Sequence, residues 1–290
     1  MPFGCGRSGG RPPRSTSDPR RRSRDKWLLD RYVLPRYQRR QLAAITQLDV
    51  REWVAELSAR GLAPATVQKA FQVFAKVMAS AIDAGYIAQT PARRIPLPKV
   101  EREEMRFLTP KQVAALADVI DPRHRALVFV GAYGGLRIGA LAGLRRRHVD
   151  MLRGVVEVHE IAVEVEGVLH HGAPKTRASR RAVSLPAGVV EELANHLARY
   201  TGPGADAFVF PAPLGGPLRA TAFRSRVWRP AVEAAGLDGL RIHDLRHTAV
   251  ALWIAAGASP TEVAARAGHA STSFVLDRYG HLLPEQVGWR

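Results

Sequence analysis

The chain has 290 residues, room for about two domains that each bury a core. At 46% hydrophobic residues it is too apolar for a disordered polymer, yet no apolar run approaches the roughly 20 residues of a membrane-spanning helix. Lys and Arg number 43 against 26 Asp and Glu, a formal charge of +17 that favours a polyanionic partner, and without a spanning segment nucleic acid is preferred to a membrane.

Residues 1–24 hold seven Arg and one Asp among Gly, Pro and Ser, with no apolar stretch of the signal-peptide kind, and read as a basic disordered arm. Cys5 is the only cysteine, so an intrachain disulfide is excluded and a reducing compartment is expected. From Trp27 apolar residues recur at helical spacing, as in Val50, Trp53, Val54 and Leu57, then Val67, Ala70, Phe71, Phe74, Val77 and Met78. This predicts a helical domain over 25–98, with one long helix from Thr66 to Ala84 stopped by Gly85. Residues 99–106 are mostly charged and follow Pro96 and Pro98, which marks an interdomain linker.

A second domain is predicted over 107–290. Thr109-Pro110 is a helix start, and helices continue through Leu144. Between Gly154 and Leu185 the pattern changes to β-branched alternation, in Val155, Val156, Val158, Ile161, Val163 and Val165, then in Ala182-Val183-Ser184-Leu185. A small sheet inside a helical domain is expected there. Helical periodicity returns over Pro186 to Tyr200, over Thr221 to Ala235, and from His243 onward.

Several polar residues on these elements suit phosphate chemistry. Arg137 follows Gly134-Gly135, a turn that would deliver a guanidinium at or just ahead of a helix start, where it could grip a phosphate with two parallel hydrogen bonds. Lys175, in Pro174-Lys175-Thr176-Arg177, lies between candidate strands and should sit on a hairpin. His243 and Arg246 share a helical face, with His247 next on the stripe. His-x-x-x-His is also zinc spacing, but Asp244 replaces the metalloprotease glutamate and no third ligand is evident. His269 follows Gly268 at the end of a helix that Ser259-Pro260-Thr261-Glu262 opens with a capping box. Tyr279 ends the next helix, and its phenol, which titrates near ~10, needs a base or a field of positive charge to become nucleophilic.

Each residue has a plainer reading. Arg137, Lys175 and His269 could be solvated surface groups and Tyr279 a packed aromatic. Ser259 to Tyr279 also reads as a helix-turn-helix, which predicts DNA binding without chemistry but leaves Arg137, Lys175 and His243 unexplained.

The ordered set Arg137, Lys175, His243, Arg246, His269 and Tyr279, with Gly-Leu-Arg-Ile-Gly, His-Asp-Leu-Arg-His and Asp-Arg-Tyr-Gly-His around its members, resembles the active site of the tyrosine recombinases, the phage integrase family. The resemblance spans about Trp27 to Leu283. It implies a mainly α fold with a small β-sheet, made of a helical, SAM-like core-binding domain and an α+β catalytic domain that close on duplex DNA. It also implies site-specific cutting and rejoining through a 3′-phosphotyrosyl intermediate, with no metal or nucleotide cofactor.

In that scheme Tyr279 is the nucleophile, Arg137 and Arg246 hold the phosphate, Lys175 is the general acid, His243 an acid/base and His269 a hydrogen-bond donor. His247 packs or orients neighbours. The implied partners are double-stranded DNA, a homotetramer on paired sites and a DNA-bending accessory protein, with action in the cytoplasm at the nucleoid. Two features depart from the family pattern. Ala140 stands where an acidic residue usually follows the first arginine, and both ends look short, with only the arm before Trp27 and only Gly280 to Arg290 after the nucleophile. A decayed integrase that only binds DNA and a type IB topoisomerase remain the alternatives.

Overall fold

The structure, a computed structural model, describes residues 19–101, 104–174 and 176–283. Two compact units divide the chain, Met1–Glu103 and Glu104–Arg290.

The first unit is helical. α1 (Pro19–Leu28) passes through a π-helical turn, Leu29–Val33, into α2 (Leu34–Tyr37). The widened turn has a local cause: Pro35 offers no N–H and its ring would strike the carbonyl four residues back, so the ladder opens just ahead of it. Residues 19–24, assigned from sequence to the disordered arm, are helical instead. Pro19 stands at the helix start, where its missing N–H costs nothing, and Asp25 offsets part of the arginine run, with Arg24 at 2.8 Å and Arg21 at 3.9 Å. The rest of the arm, with Cys5, lies outside the described residues.

α3 (Gln47–Ala59) opens on a reciprocal Thr46–Asp49 capping box, and α4 (Pro64–Asp83) ends before Gly85, whose φ of 76° only glycine adopts without strain. Their buried stripes meet at Trp53, whose ring packs 5.6 Å from Tyr37 and 5.5 Å from Phe74 while its indole N–H donates to the Tyr32 carbonyl at 3.1 Å.

The second unit begins with α5 (Pro110–Val119), capped by a Thr109–Gln112 box, followed by α6 (Pro122–Gly134) and α7 (Ile138–Gly143). Short strands come next: β1 (Val149–Asp150), β2 (Val155–Val158), β3 (Ile161–Val165), β4 (Val168–Gly172) and β5 (Arg181–Ser184). Helices close the unit as α8 (Ala187–Tyr200), α9 (Ala220–Phe223), α10 (Arg229–Ala234), α11 (Ile242–Ala255), α12 (Pro260–Ala267) and α13 (Thr272–Tyr279). A second π turn, Arg224–Trp228, again stands just ahead of a proline, Pro230.

α6 is buried along most of its length and packs against α5, α8 and α11. Gly131 permits the α11 approach, since a Cβ there would lie 2.8 Å from Leu245 Cδ1. The single sheet expected from sequence is two. β1, β2 and β5 form one antiparallel sheet, whereas β3 and β4 pair only with each other around Glu166-Gly167, both at positive φ. The segment between β4 and β5 therefore links two sheets and is not the turn of a hairpin. Lys175, which belongs to that segment, lies outside the described residues.

Candidate active site

Arg246 organises the site. It sits on α11, which begins at Ile242 because Asp244 accepts from the Arg241 backbone N–H at 2.7 Å and from its guanidinium at 3.0 Å. One turn of helix then places Arg246 in the interior, 2% exposed. Its Nη1 donates to the Gly135 carbonyl at 2.6 Å, and its Nη2 donates to the Ala267 carbonyl and to His269 Nε2 at 2.9 Å. One side chain thus ties α11 to the turn before α7 and to the end of α12. Burial, then the charges of Arg137 and Arg181, lower its pKa to about 9, so it remains a cation at neutral pH.

The Gly134-Gly135 turn works as its sequence suggests. Gly135 ends α6 in the left-handed region at φ 63°, and Arg137 follows as the residue capping α7. Among the described residues the Arg137 guanidinium has no hydrogen-bond partner, and Ala140, in the position where the family usually carries an acid, is buried in the core. His269 leaves α12 after Gly268, at φ 63°, and its ring meets Phe274 at 4.5 Å. Because Arg246 donates to its Nε2, the proton belongs on Nδ1, which is shielded and unpartnered among the described residues. Burial and the charges of Arg246, Arg137 and Arg181 lower the His269 pKa to about 3.

Tyr279, the last residue of α13, is 1% exposed. Its hydroxyl lies 2.7 Å from His247 Nδ1. The expected activation by positive charge is outweighed in the free protein: burial raises the phenol pKa more than Arg246, Arg278 and Arg137 lower it. His247 has its own pKa lowered to about 4, first by burial and then by His243, and is a neutral proton acceptor at pH 7. His243 reaches solvent at the start of α11, its ring 4.9 Å from that of His247, with its pKa held below the usual value by enclosure and by Arg246 and Arg137.

Arg137, His243, Arg246, His269 and Tyr279 are therefore gathered in one place. The sequence reading left out two contributors. His247 was expected from sequence to pack or orient neighbours, and its hydrogen bond to Tyr279 depends on how α12, packed on α11, brings α13 back to it. Arg181 was one arginine among many, yet its charge acts on Arg246 and His269, and that of Arg137 acts on it. Among the described residues no carboxylate lies within ion-pair distance of Arg137, Arg181 or Arg246. Three neighbouring guanidiniums without a carboxylate partner are a cluster of positive charge suited to an anion, and the tyrosine beside them supplies an oxygen nucleophile.

A mostly helical domain with this charge cluster and a tyrosine ending the last α-helix among the described residues is a catalytic domain of the tyrosine recombinase type. Residues 106–286 match the model of the phage integrase family. The chain belongs to that family. It is 28% identical over 283 residues to a protein of Mycobacterium tuberculosis named as a prophage phiRv2 integrase, covering 97% of this chain and 74% of that one. Among solved structures it resembles the Tn1549 transposon integrase in complex with a circular intermediate DNA, with a TM-score of 0.79 at 20% identity and coverage of 92% and 91%. It also resembles the lambda integrase tetramer bound to a Holliday junction, with a TM-score of 0.57 at 17% identity and coverage of 80% and 66%. Among the described residues no helix is long and apolar enough to cross a membrane.

Proposed function

We propose that this chain is a site-specific DNA recombinase that breaks and rejoins duplex DNA through a phosphotyrosyl intermediate. The observation that carries the reading is the juxtaposition of a buried tyrosine, hydrogen-bonded to a neutral histidine, with guanidiniums that have no carboxylate partner. The Tyr279 oxygen attacks the phosphorus and passes its proton to His247 Nδ1, while the P–O bond to the 5′ oxygen breaks. Lys175 protonates that leaving oxygen, with His243 as a second acid/base. Arg137 and Arg246 take up the charge of the pentavalent transition state, and His269 adds a donor. A 5′ hydroxyl of another strand then attacks the same phosphorus, and the tyrosine leaves with its proton restored. The bond count is conserved, so no external energy source is required.

The excess of positive charge suits double-stranded DNA, and the likeness to a tetramer on a Holliday junction supports four copies acting on paired sites. A DNA-bending protein is a further partner in this scheme, which places the action at the nucleoid.

The test is covalent trapping on nicked duplexes taken from the DNA flanking the gene, in EDTA, comparing wild type with Tyr279→Phe. The expected result is an adduct from wild type alone, with duplex binding retained by both. An adduct from Tyr279→Phe would remove Tyr279 as nucleophile, and binding without any adduct would identify a DNA-binding protein that has lost its chemistry.

A further inference from the structure

Arg181 opens β5 and points toward the turn between α12 and α13. Its Nε donates to the Arg266 carbonyl at 2.5 Å and its Nη1 to the Ser179 carbonyl at 3.3 Å. The third nitrogen, Nη2, is shielded from solvent and has no acceptor among the described residues. A buried charged donor without an acceptor carries a full desolvation cost, and nothing in the described protein offsets it.

The approach is close. A Cβ on Gly268 would lie 2.8 Å from the Ala178 carbonyl oxygen and 3.1 Å from Arg181 Nη1, so the glycine before His269 is what lets the β4–β5 segment sit against this turn. Burial, with the charge of Arg137, lowers the Arg181 pKa to about 10, which leaves it cationic at neutral pH.

We propose that Arg181 is a third phosphate-binding guanidinium of the recombination site, which contacts the scissile phosphodiester through Nη2 while its other two nitrogens fasten the β4–β5 segment to the α12–α13 turn. The proposal rests on the reading of the site as a recombinase centre. Two anchored nitrogens fix the plane of the guanidinium and leave one edge for a ligand. The charge of Arg137 acts on Arg181 and both act on His269, whose shielded Nδ1 also lacks an acceptor, and a phosphate has enough oxygens to serve all three.

The experiment uses the full chain and the suicide duplex mapped by covalent trapping, with either a phosphodiester or a neutral methylphosphonate at the cleavage position. Adduct formation is followed in single turnover for wild type, Arg181→Gln and Arg181→Lys, alongside duplex affinity and Tm. A phosphate-binding role predicts that Arg181→Gln loses roughly 10²- to 10³-fold on the phosphodiester. Most of that deficit should disappear on the methylphosphonate, which has no charge to neutralise. Arg181→Lys, which keeps the charge but not the fork, should fall between, and it carries the comparison if the glutamine variant unfolds.

An undiminished rate for Arg181→Gln overturns the proposal. A deficit of equal size on both duplexes also overturns it, because it reports a purely structural clamp. Failure of wild type to form any adduct defeats the recombinase reading itself and is visible before any Arg181 variant is compared.

Discussion

At the scale of single residues, the site holds its histidines neutral by burial. His247 and His269 have pKa values of about 4 and about 3 against an ordinary 6.5. Between pH 6.5 and those values the unfolded chain binds more protons than the native one, so stability is complete above pH 6.5 and declines as pH falls through the window. Tm should therefore drop between pH 7.5 and 5, and the drop should shrink in the double variant His247→Gln, His269→Gln. An unchanged pH dependence would assign the acid sensitivity to other groups. The proton-acceptor role predicts a separate effect: His247→Gln should slow adduct formation by about 10²-fold while leaving duplex affinity unchanged, because a side-chain amide cannot take the phenolic proton. A wild-type rate from this variant would return His247 to a packing role.

At the scale of elements, close approaches of backbone fix how helices and strands of the second unit pack. Gly143 at the end of α7 would place a Cβ 2.9 Å from the backbone of Ile161 and Ala162 at the start of β3. Neither side can yield by rotating a side chain, so Gly143→Ala should destabilise the chain by about 1–3 kcal/mol in urea unfolding. Gly188, in the first turn of α8, has nothing within 4 Å of its added Cβ, and Gly188→Ala should be neutral or stabilising by up to about 1 kcal/mol. Equal effects at the two positions would show that helix propensity governs both and the α7–β3 contact neither. Element boundaries were legible where local chemistry sets them, as at the Thr109 and Ser259 capping boxes and at Gly268. Strand pairing was not. The apolar alternation breaks at His159-Glu160 between β2 and β3, but nothing local says that β2 pairs with β5 and β3 with β4, a choice made by turns and packing.

For the whole molecule, the net charge of +17 makes salt the main control of DNA affinity. Each neutralised phosphate contributes about −0.9 to the slope of log K against log salt, so a protein with roughly six or more such contacts should lose about 10³-fold or more between 50 and 200 mM salt. Filter binding on a fixed duplex checks this, and a flat dependence would mean that the excess charge faces away from the DNA.

Local chemistry is what the sequence determined by itself. Capping residues, left-handed glycines and apolar periodicity act within a few positions, and the order of Arg137, Lys175, His243, Arg246, His269 and Tyr279 was enough to identify the family. Tertiary structure decided which donors are satisfied. Arg246 reaches Gly135 across 111 residues, His247 reaches Tyr279 across 32, and Arg181 reaches Arg266 across 85. Burial of these groups is set by the packing of distant elements. The lowered pKa values, the protonated tyrosine and the guanidiniums left without a carboxylate all follow from it.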